Sequence, residues 1–340
     1  MGTDIGGILE KHTIELETLS GRIVAIDAYN TIYQFLSIIR QPDGTPLMDY
    51  KGRVTSHLSG LLYRNIRLIE MGIRPVFVFD GEPPRFKERA IAERAAAKEE
   101  AQRRLHEAKE RGEKELKTYA QATARITESI IEESKKILTL LGIPVIQAPS
   151  EGEAQAAYLS RQGLAYAVGS QDYDSLLFGA PRLVRNLTLT GKRKLPHKGI
   201  YVTVEPEMID LNESLRKLNI NRQKLIWVAI MTGTDYNPGI KGIGAKKGYA
   251  IVQKANSLQE CFELAGAAEE FTEEIREIES FYLEPPVKDA NGLEFGEPQK
   301  EKIIEFLCGE HDFALERIEA ALEKISKKEK GGQSRLEDWF

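Results

Sequence analysis

Three short apolar runs, each closing on acids, constrain this chain more than any other feature. Arg22–Ile26 leads into Asp27, Pro75–Phe79 into Asp80, and Leu164–Val168 into Asp172 and Asp174. Runs that are apolar at nearly every position belong to strands buried on both faces, and such strands lie in parallel sheets. The intervening segments have helical periodicity. Thr31–Ile39 is one, and Val54–Met71 is another, with Leu58, Leu61, Leu62, Ile66 and Ile69 on one stripe. Strand, helix, strand in this order predicts an α/β domain around a mostly parallel sheet. Ligands of such sheets bind beyond the carboxyl ends of the strands, which is where these acids fall.

Three further acids join them: Glu151 and Glu153 in P-S-E-G-E, and Asp235 in M-T-G-T-D-Y. Taken singly, each of the seven has an ordinary role open to it. Ser150-x-x-Glu153 has the spacing of a capping box, and Glu151 suits the first turn of a helix. Asp27 and Asp174 could cap helices, and Asp80-Gly81 could be a turn. Taken together, carboxylates gathered at one sheet edge would repel strongly unless cations neutralised them. Oxygen ligands without His or Cys nearby point to Mg²⁺ or Mn²⁺ rather than zinc. Two such ions about 3.5–4 Å apart suit phosphodiester hydrolysis.

Charge distribution agrees with a phosphate-bearing partner. The net charge is −5, but residues 255–340 hold 22 acids against 10 bases, so residues 1–254 carry +7. Only two cysteines, Cys261 and Cys308, are present, so no disulfide framework is implied. No signal pattern and no apolar run of membrane-spanning length is seen, so a cytoplasmic, soluble protein with no membrane partner is expected.

Arg85–Lys117 is almost purely polar, with 11 Lys/Arg and 8 Glu. It predicts either a helix projecting from the body or a loop. Ser129–Leu141 reads as a helix and Arg182–Asn186 as a further strand. The stretch around G-K-R-K-L-P-H-K-G-I-Y-V-T-V reads as a hairpin with a basic tip. Gly239-Ile-Lys-Gly-Ile-Gly-Ala-Lys-Lys247 is a glycine turn opening a helix, with Gly242, Gly244, Lys246 and Lys247 placed to receive a phosphate backbone without reading sequence.

The motifs D-A-Y-N-T-I-Y-Q-F-L, V-F-D-G-E-P-P, A-P-S-E-G-E-A-Q-A-A-Y-L, S-Q-D-Y-D and T-G-T-D-Y-N-P-G-I-K-G-I-G-A-K-K resemble those of the structure-specific 5′ nucleases, and within them the archaeal and eukaryotic flap endonucleases. The resemblance covers nearly the whole chain. It implies a PIN-like α/β fold with a helical arch, a helix–two-turn–helix DNA-binding element and C-terminal helices. It implies 5′ flap endonuclease and 5′–3′ exonuclease activity on branched DNA, in Okazaki-fragment maturation and long-patch base excision repair, by a monomer. It implies Asp27, Asp80, Glu151, Glu153, Asp172, Asp174 and Asp235 as ligands of two Mg²⁺, with Mn²⁺ as substitute. Lys87 and Arg94 would be the arch cations at the scissile phosphate, and their i, i+7 spacing places them on one helical face. Tyr33 would stack on a base. Gly2, Arg40 and Arg64 match DNA contacts, and Leu47 and Thr55 match the seat of a one-nucleotide 3′ flap. The carbonyls of Gly239, Ile240 and Ile243 match a K⁺ site against a phosphate. Glu82 departs from the basic residue usual in eukaryotic members.

The chain ends in Gln333-Ser-Arg-Leu-Glu-Asp-Trp-Phe340. Gln333, Leu336, Trp339 and Phe340 fit the peptide that binds a sliding clamp (PCNA), with an aromatic pair for a hydrophobic pocket. Lys327–Gly332 before it reads as a flexible linker. The expected organisation is an N-terminal nuclease region over 1–100, the rest of the arch over 101–128 and an internal nuclease region over 129–220. The helix–two-turn–helix element follows over 221–257, C-terminal helices over 258–326 and a tail over 327–340.

Overall fold

A computed structural model describes residues 3–110, 123–188, 191–194, 201–290 and 292–333. The strands, in chain order, are β1 (His12–Thr13), β2 (Ile23–Asp27), β3 (Arg74–Phe79), β4 (Val145–Gln147), β5 (Ala167–Gly169), β6 (Arg182–Arg185), β7 (Gly191–Lys194), β8 (Tyr201–Val204) and β9 (Glu207–Asp210). Seven of them form one sheet in the order β1-β9-β6-β5-β2-β3-β4. The pairs β2/β3, β2/β5, β3/β4 and β5/β6 are parallel, and β9 is antiparallel to β6 and β1. The sheet is therefore mixed and mostly parallel, as the apolar runs predict.

Successive strand residues face opposite cores. Ala25, Val78 and Val168 enter one, with the helices α5 (Gly152–Arg161), α6 (Asp174–Leu177), α7 (Leu211–Leu218) and α8 (Arg222–Thr232). Val24, Ile26, Phe77, Phe79 and Ala167 enter the other, with α1 (Ala28–Ile38), α2 (Ser56–Glu70) and α4 (Glu128–Leu140). The stripe of α2 is buried at Leu58, Leu61, Leu62 and Ile66.

The segment between β3 and α4 begins with a 3-10 turn over Arg85–Lys87 and continues as α3 (Glu88–Glu110), a polar helix. Its departure from the sheet is strapped down. The Gly81 amide donates to the Ser150 carbonyl at 2.6 Å, and that of Glu82 to the Pro149 carbonyl at 3.2 Å. A Cβ at Gly81 would stand 2.3 Å from the Ala148 carbonyl oxygen, so the approach needs glycine. Residues 111–122 of the expected arch lie outside the described residues. The chain returns at Ala124, which is buried.

Several expectations shift. The third strand starts at Ala167 rather than Leu164, because the amides of Leu164 and Ala165 turn back on the Leu159 carbonyl and close the end of α5. Sequence reading passes over β4, which follows Pro144, and β9, whose residues are half polar. The basic hairpin forms as the pair β7/β8, with its tip, residues 195–200, outside the described residues. The Lys327–Gly332 linker is instead part of the last helix, Leu315–Gln333, in keeping with the helix-forming Lys and Glu in it. Gly2, Leu336, Trp339 and Phe340 lie outside the described residues.

Candidate metal centre

Parallel strands deliver the acids to one edge. Asp27 is the last residue of β2 and also the N-cap of α1, its Oδ1 accepting the Asn30 amide at 3.1 Å. Asp80 follows β3, and its Oδ1 accepts the Gly152 amide at 2.6 Å, which pins the start of α5 to the end of β3. Asp172 and Asp174 follow β5. Asp172 accepts from Asn30 Nδ2 at 2.8 Å, and Asp174 accepts the Thr3 amide at 3.3 Å. Asp235 comes from the turn after α8.

The capping box does not form. Glu151 is the N-cap residue of α5 and makes no side-chain cap, while Glu153 accepts from Ser170 Oγ at 2.7 Å. A helix N-terminus that gives up its side-chain caps turns both glutamates toward the edge where the aspartates stand. Asp27, Glu151 and Asp174 are 7%, 8% and 5% exposed.

Burial dominates the electrostatics. It raises Asp27 and Glu153 well above the usual carboxylate range, with neighbouring acids adding to it. It also raises Asp80, Glu151 and Asp172, and pushes Asp174 up to about 7. Like charges held this close in a dry site call for cations. Two come from the protein. Lys87 Nζ donates to Glu151 Oε2 at 2.5 Å, and the Arg94 guanidinium donates to Asp235 Oδ2. Burial pushes the Lys87 ammonium down, but Glu151, Asp80 and Asp235 together more than reverse this. Lys87 ends the 3-10 turn rather than sitting within α3, and it still shares with Arg94 the side that faces the acids. Lys87 and Arg94 thus occupy carboxylate oxygens of two of the described acids. No three described acids, with or without His or Cys, close into a single shell that would hold a metal ion. The donor chemistry, all carboxylate, fits a hard divalent cation.

The expected DNA contacts stand on α1, on α2, in the turn between them and in the glycine turn after Asp235. Tyr33 is 37% exposed, with Lys98 Nζ 5.6 Å from its ring centre. Arg40 is half-buried and donates to the Leu36 and Gly44 carbonyls, closing the turn between α1 and α2. Leu47 and Thr55 meet through a Thr55 N–H to Leu47 carbonyl bond of 2.7 Å. Arg64 lies half-buried on α2. Gly242 has φ +81°, and Gly244 caps α9 (Ala245–Val252). Lys246 and Lys247 stand exposed in the first turn of α9, and Lys247 Nζ reaches back to the Gly242 carbonyl at 3.0 Å. The Ile240 carbonyl already accepts the Ile243 amide at 3.0 Å. Gly239 has φ +73°, and a Cβ there would meet the Gly233 nitrogen at 2.4 Å, so two glycine turns stack tightly behind Asp235.

Sequence reading missed the residues that hold the acids: Asn30, Ser170, Thr3 and the Gly152 amide. Asn30 and Ser170 stand inside motifs already singled out, D-A-Y-N and S-Q-D-Y-D. Their partners are distant in the chain, so spacing alone does not reveal the roles.

Comparison with known proteins places this geometry. The XPG N-terminal domain family matches residues 5–101, and the XPG I-region family matches residues 142–235. The chain is 56% identical to Flap endonuclease 1 of Pyrococcus furiosus, over 100% of this chain and 99% of that protein. It is 53% identical to Flap endonuclease 1 of Archaeoglobus fulgidus over the full length of both. Its structure is similar to that of flap endonuclease-1 from Methanococcus jannaschii, with TM-score 0.71 and 39% identity, covering 95% of this chain and 98% of the other.

Proposed function

Because this chain belongs to the flap endonuclease family, we propose that Asp27, Asp80, Glu151, Glu153, Asp172, Asp174 and Asp235 hold two Mg²⁺ ions at the scissile phosphate of branched DNA. The chain is a structure-specific nuclease that hydrolyses DNA phosphodiester bonds. The finer reading is a 5′ flap endonuclease with 5′–3′ exonuclease action near the single-strand/duplex junction, in Okazaki-fragment maturation and long-patch base excision repair. Mn²⁺ substitutes for Mg²⁺. When bound, such ions supply Lewis acidity and lower the pKa of water at the phosphate.

One observation carries the reading: Lys87 and Arg94, both from the start of the arch, already reach acids contributed by two other parts of the chain. A phosphate at this edge would draw the two cations off the carboxylates. It would then take two charge-assisted contacts as negative charge develops on its oxygens. Tyr33 offers a stacking face for the base beside the cut. Leu47 and Thr55 form one side of a 3′-flap seat, with Arg40 and Arg64 near the duplex. The α9 turn, with Gly242, Gly244, Lys246 and Lys247, grips one strand of duplex DNA through its backbone amides and lysines. The carbonyls of Gly239, Ile240 and Ile243 hold K⁺ against that phosphate. Gly2 contacts the DNA. Gln333, Leu336, Trp339 and Phe340 bind the sliding clamp, and the enzyme acts as a monomer. No helix among the described residues is long and apolar enough to cross a membrane.

The test is a panel of end-labelled flap, nicked, blunt and single-stranded DNAs with Mg²⁺, mapping the cut. Cleavage within a nucleotide or so of the junction on the flap is expected. Equal cleavage of the single strand would overturn the junction specificity, and full activity in excess chelator would overturn the metal assignment.

A further inference from the structure

We infer that Asn30 is a positioning residue that sets the spacing and orientation of two metal-binding carboxylates, Asp27 and Asp172, and that Gln34 fixes which way its amide faces. The inference rests on the ligand assignment above.

Asn30 touches both acids at once. Its backbone amide donates to Asp27 Oδ1 at 3.1 Å, and its side-chain Nδ2 donates to Asp172 Oδ2 at 2.8 Å. The two acids come from the ends of β2 and β5, neighbouring strands whose carboxylates repel each other. A single neutral residue with two donors in a fixed relation is a suitable brace between them. It leaves the second oxygen of each carboxylate free of Asn30, and it adds no charge that a cation would have to displace.

The amide has only one useful orientation. An ionised carboxylate accepts hydrogen bonds and cannot donate them, so Asn30 must present NH₂ to Asp172 and turn its carbonyl oxygen away. That oxygen accepts from Gln34 Nε2 at 2.6 Å, one helical turn on. Gln34 in turn must spend its NH₂ on Asn30. Its own Oε1 is buried with no hydrogen-bond partner among the described residues, a cost consistent with an orientation imposed from the Asp172 end. The direction of donation therefore runs Gln34 to Asn30 to Asp172. Partners that orient metal ligands from outside commonly change metal affinity by about 10- to 100-fold when lost.

The experiment uses the full-length protein and two variants that disturb the relay differently. Asn30→Leu keeps the approximate volume and removes the side-chain donor. Gln34→Glu keeps Asn30 but sets a second carboxylate against its carbonyl, so the amide must turn its oxygen on one acid or the other and the brace to Asp172 is weakened. Mn²⁺ binding to the DNA-free protein is measured by calorimetry, and the Mg²⁺ dependence of single-turnover cleavage is measured alongside. Both variants are expected to weaken Mn²⁺ binding roughly tenfold and to raise the half-saturating Mg²⁺ by a similar factor. At saturating Mg²⁺ the rate should return to within about threefold of the parent, and melting in chelator should be unchanged. The double variant should be no worse than Asn30→Leu alone, because both changes break one relay. If Asn30→Leu does not fold, Gln34→Glu carries the test. Asp172→Asn is the control. If it binds Mn²⁺ like the parent, the ligand assignment falls and the inference with it. If it loses binding while Asn30→Leu and Gln34→Glu keep the parental affinity, the inference alone is overturned. Additive losses in the double variant also overturn it.

Discussion

Replacing Lys87 by Met should move two measurements in opposite directions. Lys87 Nζ lies 2.5 Å from Glu151 Oε2, and the two side chains are only 13% and 10% exposed. At an effective dielectric constant of about 20, unit charges this close attract by roughly 7 kcal/mol before dehydration is subtracted. Removing one partner of a buried pair typically leaves about 3–5 kcal/mol of uncompensated charge on the other. A divalent cation drawn to Glu151 must displace the ammonium from that oxygen or share it. Met keeps most of the lysine stem and removes the competitor. If about half of the lower figure, ~1.4 kcal/mol, is recovered when the cation arrives, Mn²⁺ should bind the DNA-free variant about tenfold tighter. Cleavage should go the other way. A charge that meets the phosphate as it gains negative charge is lost, and the single-turnover rate at saturating Mg²⁺ should fall by about 100-fold or more. Calorimetric titration with Mn²⁺ and quenched-flow cleavage of a labelled flap measure the two. Unchanged or weaker Mn²⁺ binding would refute the competition at Glu151. A rate within threefold of the parent would refute the role at the phosphate.

Other outcomes follow from the same structure. Lys246→Ala with Lys247→Ala should weaken binding to duplex-containing substrates about equally across sequences and lower the salt slope of log K by roughly one to two, and an unaltered slope would show that these lysines face away from DNA. Deleting Gln333–Phe340 should abolish stimulation by the sliding clamp and leave clamp-free cleavage intact; loss of intrinsic activity would show that the octet belongs to the fold. His311 lies buried, 3.4 Å from Asp49 and 3.9 Å from Glu133. Burial lowers its pKa below the ordinary 6.5, only partly reversed by Glu133 and Asp49. At this one group the unfolded chain then binds more protons in the window just below 6.5, so the His311 contribution to stability should fall as pH drops through that window, opposite in sign to that of the metal-site acids raised by burial. His311→Gln should remove this contribution, so melting between pH 5 and 7 should show the variant gaining on the parent as pH drops, and parallel slopes would count against the assignment.

The acids were legible because strand ends are. Asp27 and Asp80 follow runs whose burial on both faces is written in consecutive apolar residues, and the parallel order of β2, β3 and β5 brings them together. The role of Glu153 was misleading for a physical reason. Its spacing from Ser150 satisfies a local rule, but Ser170, delivered by β5, competes for the same carboxylate and wins. Thr3 against Asp174 and Asn30 against Asp172 span 171 and 142 residues. No local pattern reports such contacts, because they exist only once the sheet has set its register. The length of β5 was misread because the end of α5 consumes two amides that an isolated strand would have kept.

The way the arch leaves the sheet has a consequence for how such a chain can change. Both of its roots are fastened independently of its middle: Gly81 and Glu82 to the segment before α5, and Ala124 into the apolar layer under α4. Closing a flexible loop becomes harder only logarithmically with its length, so doubling such a stretch adds about 0.6 kcal/mol. Changes of length between the roots can therefore be absorbed while the register of β3 on β4 stays put. The reach of the segment between the roots and the chemistry at the acid edge can diverge separately, the first by changes of length and the second only by changes of residue.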